Sequence, residues 1–119
     1  MNASAHAGHV LRDLNQRIGG AATALVARDG AVLFADLPDG AFAETFAIMC
    51  ATAFGAAVTA NSELGRTAPD RVVVEGPDSR TIIVPSGGHA ILVAVVDLST
   101  DLVSASHEIR RFASLLGSP

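Results

Sequence analysis

The sequence predicts an α+β fold, in which a single five-stranded antiparallel sheet carries helices on both faces. Apolar residues recur with a helical period near the start, in the middle and near the end of the chain, and strand-like runs fill the two intervals between them. An Asp-Gly pair at 29–30 separates two short apolar runs, which is typical of a β-hairpin. The run HAILVAVVD at 89–97 is apolar on both sides, so the strand that it forms must be covered on both faces.

Length and composition predict one domain at residues 1–119, with a core at about 8–116. Half of the residues are apolar, but no uninterrupted apolar run approaches the ~18 residues of a transmembrane helix, so we expect no membrane insertion. The first residues lack the basic and apolar regions of a signal peptide, and the single cysteine excludes an internal disulfide. Both observations favour a cytoplasmic protein.

The charged residues exclude several classes of function. The net charge is −4 and no basic stripe occurs, which argues against nucleic-acid binding. All eight basic residues are Arg. Without Lys, the chain has neither a Walker-A phosphate site nor a Schiff-base nucleophile.

The first elements are a short helix and a hairpin. Residues 1–7 are small and polar, so we expect them to be frayed. An apolar stripe predicts a helix over 8–18, which Gly-Gly at 19–20 ends. Strands are predicted at 21–28 and 31–36.

A long helix is predicted over 40–66, between a Pro-Asp-Gly turn and a closing Gly. One apolar stripe of this helix consists of Phe42, Phe46, Met49, Ala53, Ala57, Ala60 and Leu64. A second, adjacent stripe consists of Ala43, Ala47, Cys50, Phe54 and Val58. A surface helix needs one apolar stripe, so this helix is expected to contact its own sheet on one side and another molecule on the other. Periodicity alone leaves open which stripe faces the sheet.

The second half of the chain predicts three strands and a helix. The strands are expected at 71–76, 80–85 and 89–97, with Gly-containing turns between them. The helix is expected over 100–116, with Ser99 or Thr100 as its cap and Asp101 in its first turn. We expect the first and last helices to cover one face of the sheet and the long helix to cover the other.

No set of residues predicts a catalytic, cofactor or metal site. The four histidines do not cluster with metal-ligand spacing. Ser106, His107 and Glu108 are adjacent on a helix, so their side chains point about 100° apart and do not form a catalytic triad. Cys50 lies among apolar residues, where a thiol is usually buried and unreactive.

The strand at 71–75 is self-complementary. Arg71, Val73 and Glu75 share one face of it. If two copies pair antiparallel about a dyad at Val73, each Arg71 lies opposite a Glu75 of the other copy. Exposed pairs of this kind contribute only ~0–1 kcal/mol, so the pattern permits this dimer without requiring it.

The order of these features resembles the Roadblock/LC7 domain family over about residues 8–116. The resemblance rests on the ELGR at 63–66 that closes the long helix, the VVVEG at 72–76 and the AILVAVVD at 90–97 before the last helix. It implies a non-enzymatic dimerisation module without a cofactor, whose strands lie in the order 2-1-5-4-3. In this family the long helices pack side by side and the third strands pair. The implied interface in this chain comprises Phe42, Phe46, Met49, Ala53, Ala57, Ala60, Arg71, Val73 and Glu75.

The resemblance also implies partners. Prokaryotic members are similar to the MglB type, which binds a small Ras-like GTPase and can stimulate GTP hydrolysis, while other members act as scaffolds. The first expectation is therefore a homodimer that regulates a small Ras-like GTPase. Two alternatives stay open, namely a structural adaptor in a signalling or motility complex and a small-ligand sensor. The family's residues that contact the GTPase follow no shared motif and are not transferred.

Overall fold

A computed structural model describes residues 3–20 and 22–117 of the protein. Three helices and five strands follow one another in the predicted order, α-β-β-α-β-β-β-α. In chain order they are α1 (Ala3–Ile18), β1 (Ala22–Ala27), β2 (Val32–Asp36), α2 (Ala43–Glu63), β3 (Val72–Glu75), β4 (Ser79–Ser86), β5 (Ala90–Asp97) and α3 (Leu102–Gly117). The bounds of every strand lie within one residue of those predicted.

The five strands form one antiparallel sheet in the order β2-β1-β5-β4-β3. This confirms the order that the family resemblance implies. β5 is central, and β2 and β3 form the two edges. The β1–β2 pairing contains a bulge: Leu25 pairs with Phe34 and Val26 with Val32, which leaves Leu33 without a partner across the strands.

Each face of the sheet has its own core, as the apolar run of β5 predicts. One core lies beneath α1 and α3, and the other lies beneath α2. Leu92 and Ala94 of β5 belong to the first core, and Ile91 and Val93 belong to the second. The helical side chains of the first core include Leu11, Leu14, Ile109 and Phe112, and those of the second are Ala47, Cys50 and Phe54.

The start of α1 corrects one prediction. Residues 3–7 are helical rather than frayed, and residues 1–2 lie outside the described part of the chain. α1 approaches β2 closely at and after the end of this segment. Ala7 is buried, and a Cβ atom at Gly8 would lie 2.9 Å from the ring of Phe34.

The ends of the other two helices also differ from prediction. α2 is shorter than 40–66, because Phe42 is its extended N-cap and Leu64 its C-cap, while Gly65 has a left-handed φ of 66°. α3 begins after Asp101, whose Oδ2 accepts a hydrogen bond of 2.9 Å from the backbone N–H of Ser104. Asp101 is therefore the cap that was expected at Ser99 or Thr100. Hydrogen bonds from the side chain and the backbone of Ser104 lower the pKa of Asp101 below its ordinary value.

Candidate interaction surface

Helix α2 covers the sheet with one side and exposes large apolar side chains on the flanks of its outer side. Ala47, Cys50 and Phe54 pack onto the sheet. Outside this inner stripe, Ile48 is 48% and Met49 56% exposed, and Phe42 before the helix is 80% exposed. Large apolar side chains in water favour association with another apolar surface.

By length and composition alone, α2 could also cross a membrane. Among the described residues it is the one helix that is long and apolar enough to do so. Its most apolar 18-residue window has a mean hydropathy of 1.4, and 17% of that window is buried. One such helix is weak evidence for a membrane span. The inner side of α2 packs on the sheet, so a helix that is apolar all round is equally explained by a second protein surface on its outer side.

The structure answers which stripe of α2 faces the sheet. The second stripe does so, through Ala47, Cys50 and Phe54. The first stripe, which carries the predicted dimer interface, lies along one flank of the exposed face. Phe46 and Ala53 are half-buried and pack against the core beneath α2, as partly buried hydrophobic residues. The exposed residues of the stripe are Phe42, Met49, Ala60 and Leu64, and Ala57 is half-buried.

Sequence reasoning missed the centre of the exposed face. The side chains opposite the inner stripe are those of Thr45, Thr52, Ala56 and Thr59, and all of them are exposed. Thr52 donates its hydroxyl hydrogen to the carbonyl of Ile48 at 2.7 Å, which satisfies a polar group without a partner molecule. The seven-residue spacing of the three threonines could have marked this face, because residues seven apart lie one above the other on a helix.

The second part of the surface is the free edge of β3. This strand ends the sheet, and Val74 on it is 51% exposed. Val73 packs toward α1 and α3, so the face that it shares with Arg71 and Glu75 is the face of those helices. An edge strand offers backbone N–H and C=O groups to a further strand.

Arg71, directly before β3, and Glu75, its last residue, both have partners in their own chain. Arg71 donates a hydrogen bond of 2.9 Å to the hydroxyl of buried Ser106. Glu75 forms an ion pair with Arg80 of the neighbouring strand. An ion pair between Arg71 of one copy and Glu75 of another must therefore compete with these contacts inside each chain.

Among the described residues, no group of three or more His, Cys, Asp or Glu side chains is placed to hold a metal ion. Burial raises the pKa of Cys50 to about 11, so its thiol is protonated at neutral pH and is a poor nucleophile. Ser106 is buried and His107 is exposed, so the two side chains lie in different environments. The candidate site of the described residues is therefore the exposed outer side of α2 together with the free edge of β3.

A family model for the Roadblock/LC7 domain matches residues 7–96 of this chain. Among known proteins, the chain is similar to the uncharacterized protein MJ0714 of Methanocaldococcus jannaschii, with 34% identity over 93 residues, or 78% of either chain.

Solved structures of MglB have the same fold. A structure described as MglB with a tetrameric arrangement has a TM-score of 0.90 and 24% identity, over 98% of this chain and 89% of that one. The gliding protein MglB from Thermus thermophilus has a TM-score of 0.86 and 23% identity, over 98% of this chain and 90% of that one. At this level of identity the likeness to these structures shows the fold.

Proposed function

The chain belongs to the Roadblock/LC7 domain family, and from this premise we propose that it is a non-enzymatic homodimer that binds and regulates a small Ras-like GTPase. The observation that carries the proposal is the exposed apolar face of α2 beside the free edge of β3. The resemblance to MglB-type members supplies the class of partner.

The positions of the two surfaces support a two-fold dimer. α2 crosses the sheet and contacts β3 as well as β1 and β2. A helix face and a sheet edge that adjoin each other can both be shared with a second copy about one axis. We propose that the helix part consists of Phe42, Phe46, Met49, Ala53, Ala57 and Ala60, and that the strand part consists of Arg71, Val73 and Glu75.

Both copies would contribute exposed apolar side chains to the proposed dimer. Each large side chain that becomes buried contributes ~1.5–3 kcal/mol. Association costs on the order of 4–15 kcal/mol. Phe42 and Met49, the most exposed large side chains of the proposed helix interface, occur in each copy, so four such side chains contribute roughly 6–12 kcal/mol, which is of the same order as that cost.

A ligand-sensor function has little support from the core. Phe54 is 3% exposed and, with Ala47 and Cys50, occupies the space between α2 and the sheet. A ligand beneath α2 would have to displace these side chains.

Capture with nucleotide tests the GTPase proposal. Tagged protein is incubated with lysate of the organism that encodes it, once with GTPγS and once with GDP. We expect a small GTPase to be retained in one nucleotide state, and the purified GTPase to hydrolyse GTP faster when this protein is added. Retention of a kinase or scaffold regardless of nucleotide, with no GTPase, would contradict the proposal and favour a structural adaptor.

A further inference from the structure

A groove lies where the β1–β2 turn meets the first half of α2. Its volume is about 460 Å³, and its lining residues are Asp29, Gly30, Ala31, Val32, Glu44 and Ile48. We call this groove the acidic corner. Its floor is apolar, since Val32 is half-buried and Ile48 is 48% exposed, and its walls carry the carboxylates of Asp29 and Glu44.

The turn that holds Asp29 is fixed by backbone contacts. The N–H of Ala31 donates a hydrogen bond of 3.0 Å to Oδ1 of Asp29, and the N–H of Gly30 donates one of 2.8 Å to the carbonyl of Ala27. A Cβ at Gly30 would lie 3.1 Å from Cγ1 of Ile48, so the turn and α2 are already in close contact. The corner is therefore preformed, and a partner has little ordering cost to overcome there.

Neither carboxylate of the corner forms an ion pair within the described residues, whose four ion pairs use the carboxylates of Asp13, Asp70, Glu75 and Glu108. Glu44 lies in the first turn of α2, where the positive end of the helix dipole offsets part of its charge. Arg28 is next to Asp29 in sequence, but its guanidinium donates to the carbonyl oxygens of Ala90 and Gly87 and lies 5.0 Å from the ring of Phe54.

The stretch of chain that contains the corner residues and α2 carries no basic residue. From residue 29 to residue 65 the chain has five acidic residues and no Arg, Lys or His. A basic segment that approaches the corner is therefore attracted by Asp29 and Glu44.

The corner is also separate from the proposed dimer interface. On α2, Ile48 lies on one side of the buried stripe, while Phe46 and Ala53 lie on the other side. A dimer formed through Phe46 and Ala53 thus leaves the corner of each copy open.

From these observations we infer that the acidic corner is a docking site for a segment of a partner protein that carries basic side chains on both sides of an apolar one. The apolar side chain contacts Ile48 and Val32, and the basic side chains pair with Asp29 and Glu44. This inference does not depend on the proposed function, because it holds whether the partner is a GTPase, a kinase or a scaffold.

A defined peptide tests the inference without knowledge of the partner. The probe is the blocked pentapeptide Gly-Arg-Ile-Arg-Gly, and Gly-Glu-Ile-Glu-Gly serves as the comparison. We expect saturable amide shifts in ¹⁵N-labelled protein, at residues 29–32 and 44–48, with a Kd of about 1 mM that weakens as salt is added. The acidic peptide is expected to produce no saturable shifts.

Two double variants that change the net charge equally complete the test. Asp29→Asn with Glu44→Gln removes both carboxylates of the corner and keeps the oxygen that accepts from Ala31. Asp78→Asn with Glu63→Gln makes the same change in net charge at exposed positions outside the corner. We expect the first pair to weaken peptide binding about fivefold and the second to leave it within about twofold. Equal weakening by both pairs, shifts spread over α1 and α3, or no saturable binding would overturn the inference.

Discussion

Gly30 links the first hairpin to the long helix. Its φ of 98° lies in the left-handed region, where side chains with a Cβ are strained. Its backbone also faces Ile48, since an added Cβ would lie 3.3 Å from the Cα of that residue. Gly40 has a similar φ of 86°, but nothing lies within 4 Å of its Cβ position.

These two glycines make a matched pair of variants. Gly30→Ala is expected to lower the free energy of unfolding by about 2–4 kcal/mol, because backbone strain and overpacking against α2 add together. Gly40→Ala is expected to lower it by only about 1–2 kcal/mol, from strain alone. Urea unfolding followed by circular dichroism measures both. Equal losses would show that the contact with Ile48 contributes nothing.

Single residues are also where sequence reasoning had least information. The pattern of β3 placed Arg71, Val73 and Glu75 on one face, and the packing of Val73 toward α1 and α3 agrees with this. It could not show that Arg80 and Ser106 would be their partners, because those residues come from another strand and a helix. Partners of this kind follow from the tertiary fold and not from spacing along one strand.

At the scale of elements, α2 combines a small buried stripe with a broad exposed face. The buried side chains are mostly small, and the exposed apolar ones include Met49. A charge introduced at an exposed position leaves the core of the chain intact but has to be desolvated if two helices pack over it.

Met49→Asp therefore tests the proposed interface. We expect the wild type to have twice the monomer mass of 12.1 kDa in light scattering and the variant to have the monomer mass, with the circular dichroism spectrum unchanged. Val103→Asp is the control, because Val103 is 74% exposed on α3, away from the interface. An unchanged dimer in Met49→Asp would show that the predicted stripe is not the interface.

The elements themselves were predictable, and their ends were less so. Apolar periodicity predicted the helices, and short apolar runs separated by turn residues predicted the strands, because each element has one or two faces in contact with a core. The early start of α1 was missed, because the small residues of its first turn show no apolar stripe. The close approach of α1 to β2, at Gly8 and Phe34, is a tertiary contact. A close approach between a helix backbone and a strand is not visible in the pattern of hydrophobic residues.

At the scale of the whole molecule, dimerisation and folding are expected to be coupled. If much of α2 is covered only in the dimer, dilution favours the unfolded chain. We expect the midpoint of thermal unfolding to rise by about 3 °C for each tenfold rise in protein concentration. The Met49→Asp variant is expected to unfold at a lower temperature that does not change with concentration. A concentration-independent midpoint in the wild type, measured by calorimetry, would contradict the coupling.

The architecture followed from a few patterns acting together. The apolar run of β5 required cover on both faces of the sheet, and three helices were available to provide it. The order of the strands could not be predicted from these patterns, because several orders satisfy them equally. The family resemblance implied the order that the structure has. Periodicity fixes which face of a strand is buried, while its neighbours are fixed by how the turns and connections pack.

The bulge at Leu33 has a consequence for growth of the sheet beyond two chains. A molecule with two equally open edges can add further copies at both ends and extend into a fibre. Here the bulge interrupts the edge strand β2, which hinders regular pairing with an incoming strand, whereas β3 carries no such interruption in its register. Pairing through β3 alone uses the same edge on both partners, so it ends after one step. In the proposed dimer, two chains would therefore share a continuous ten-stranded sheet whose outer edges resist further growth.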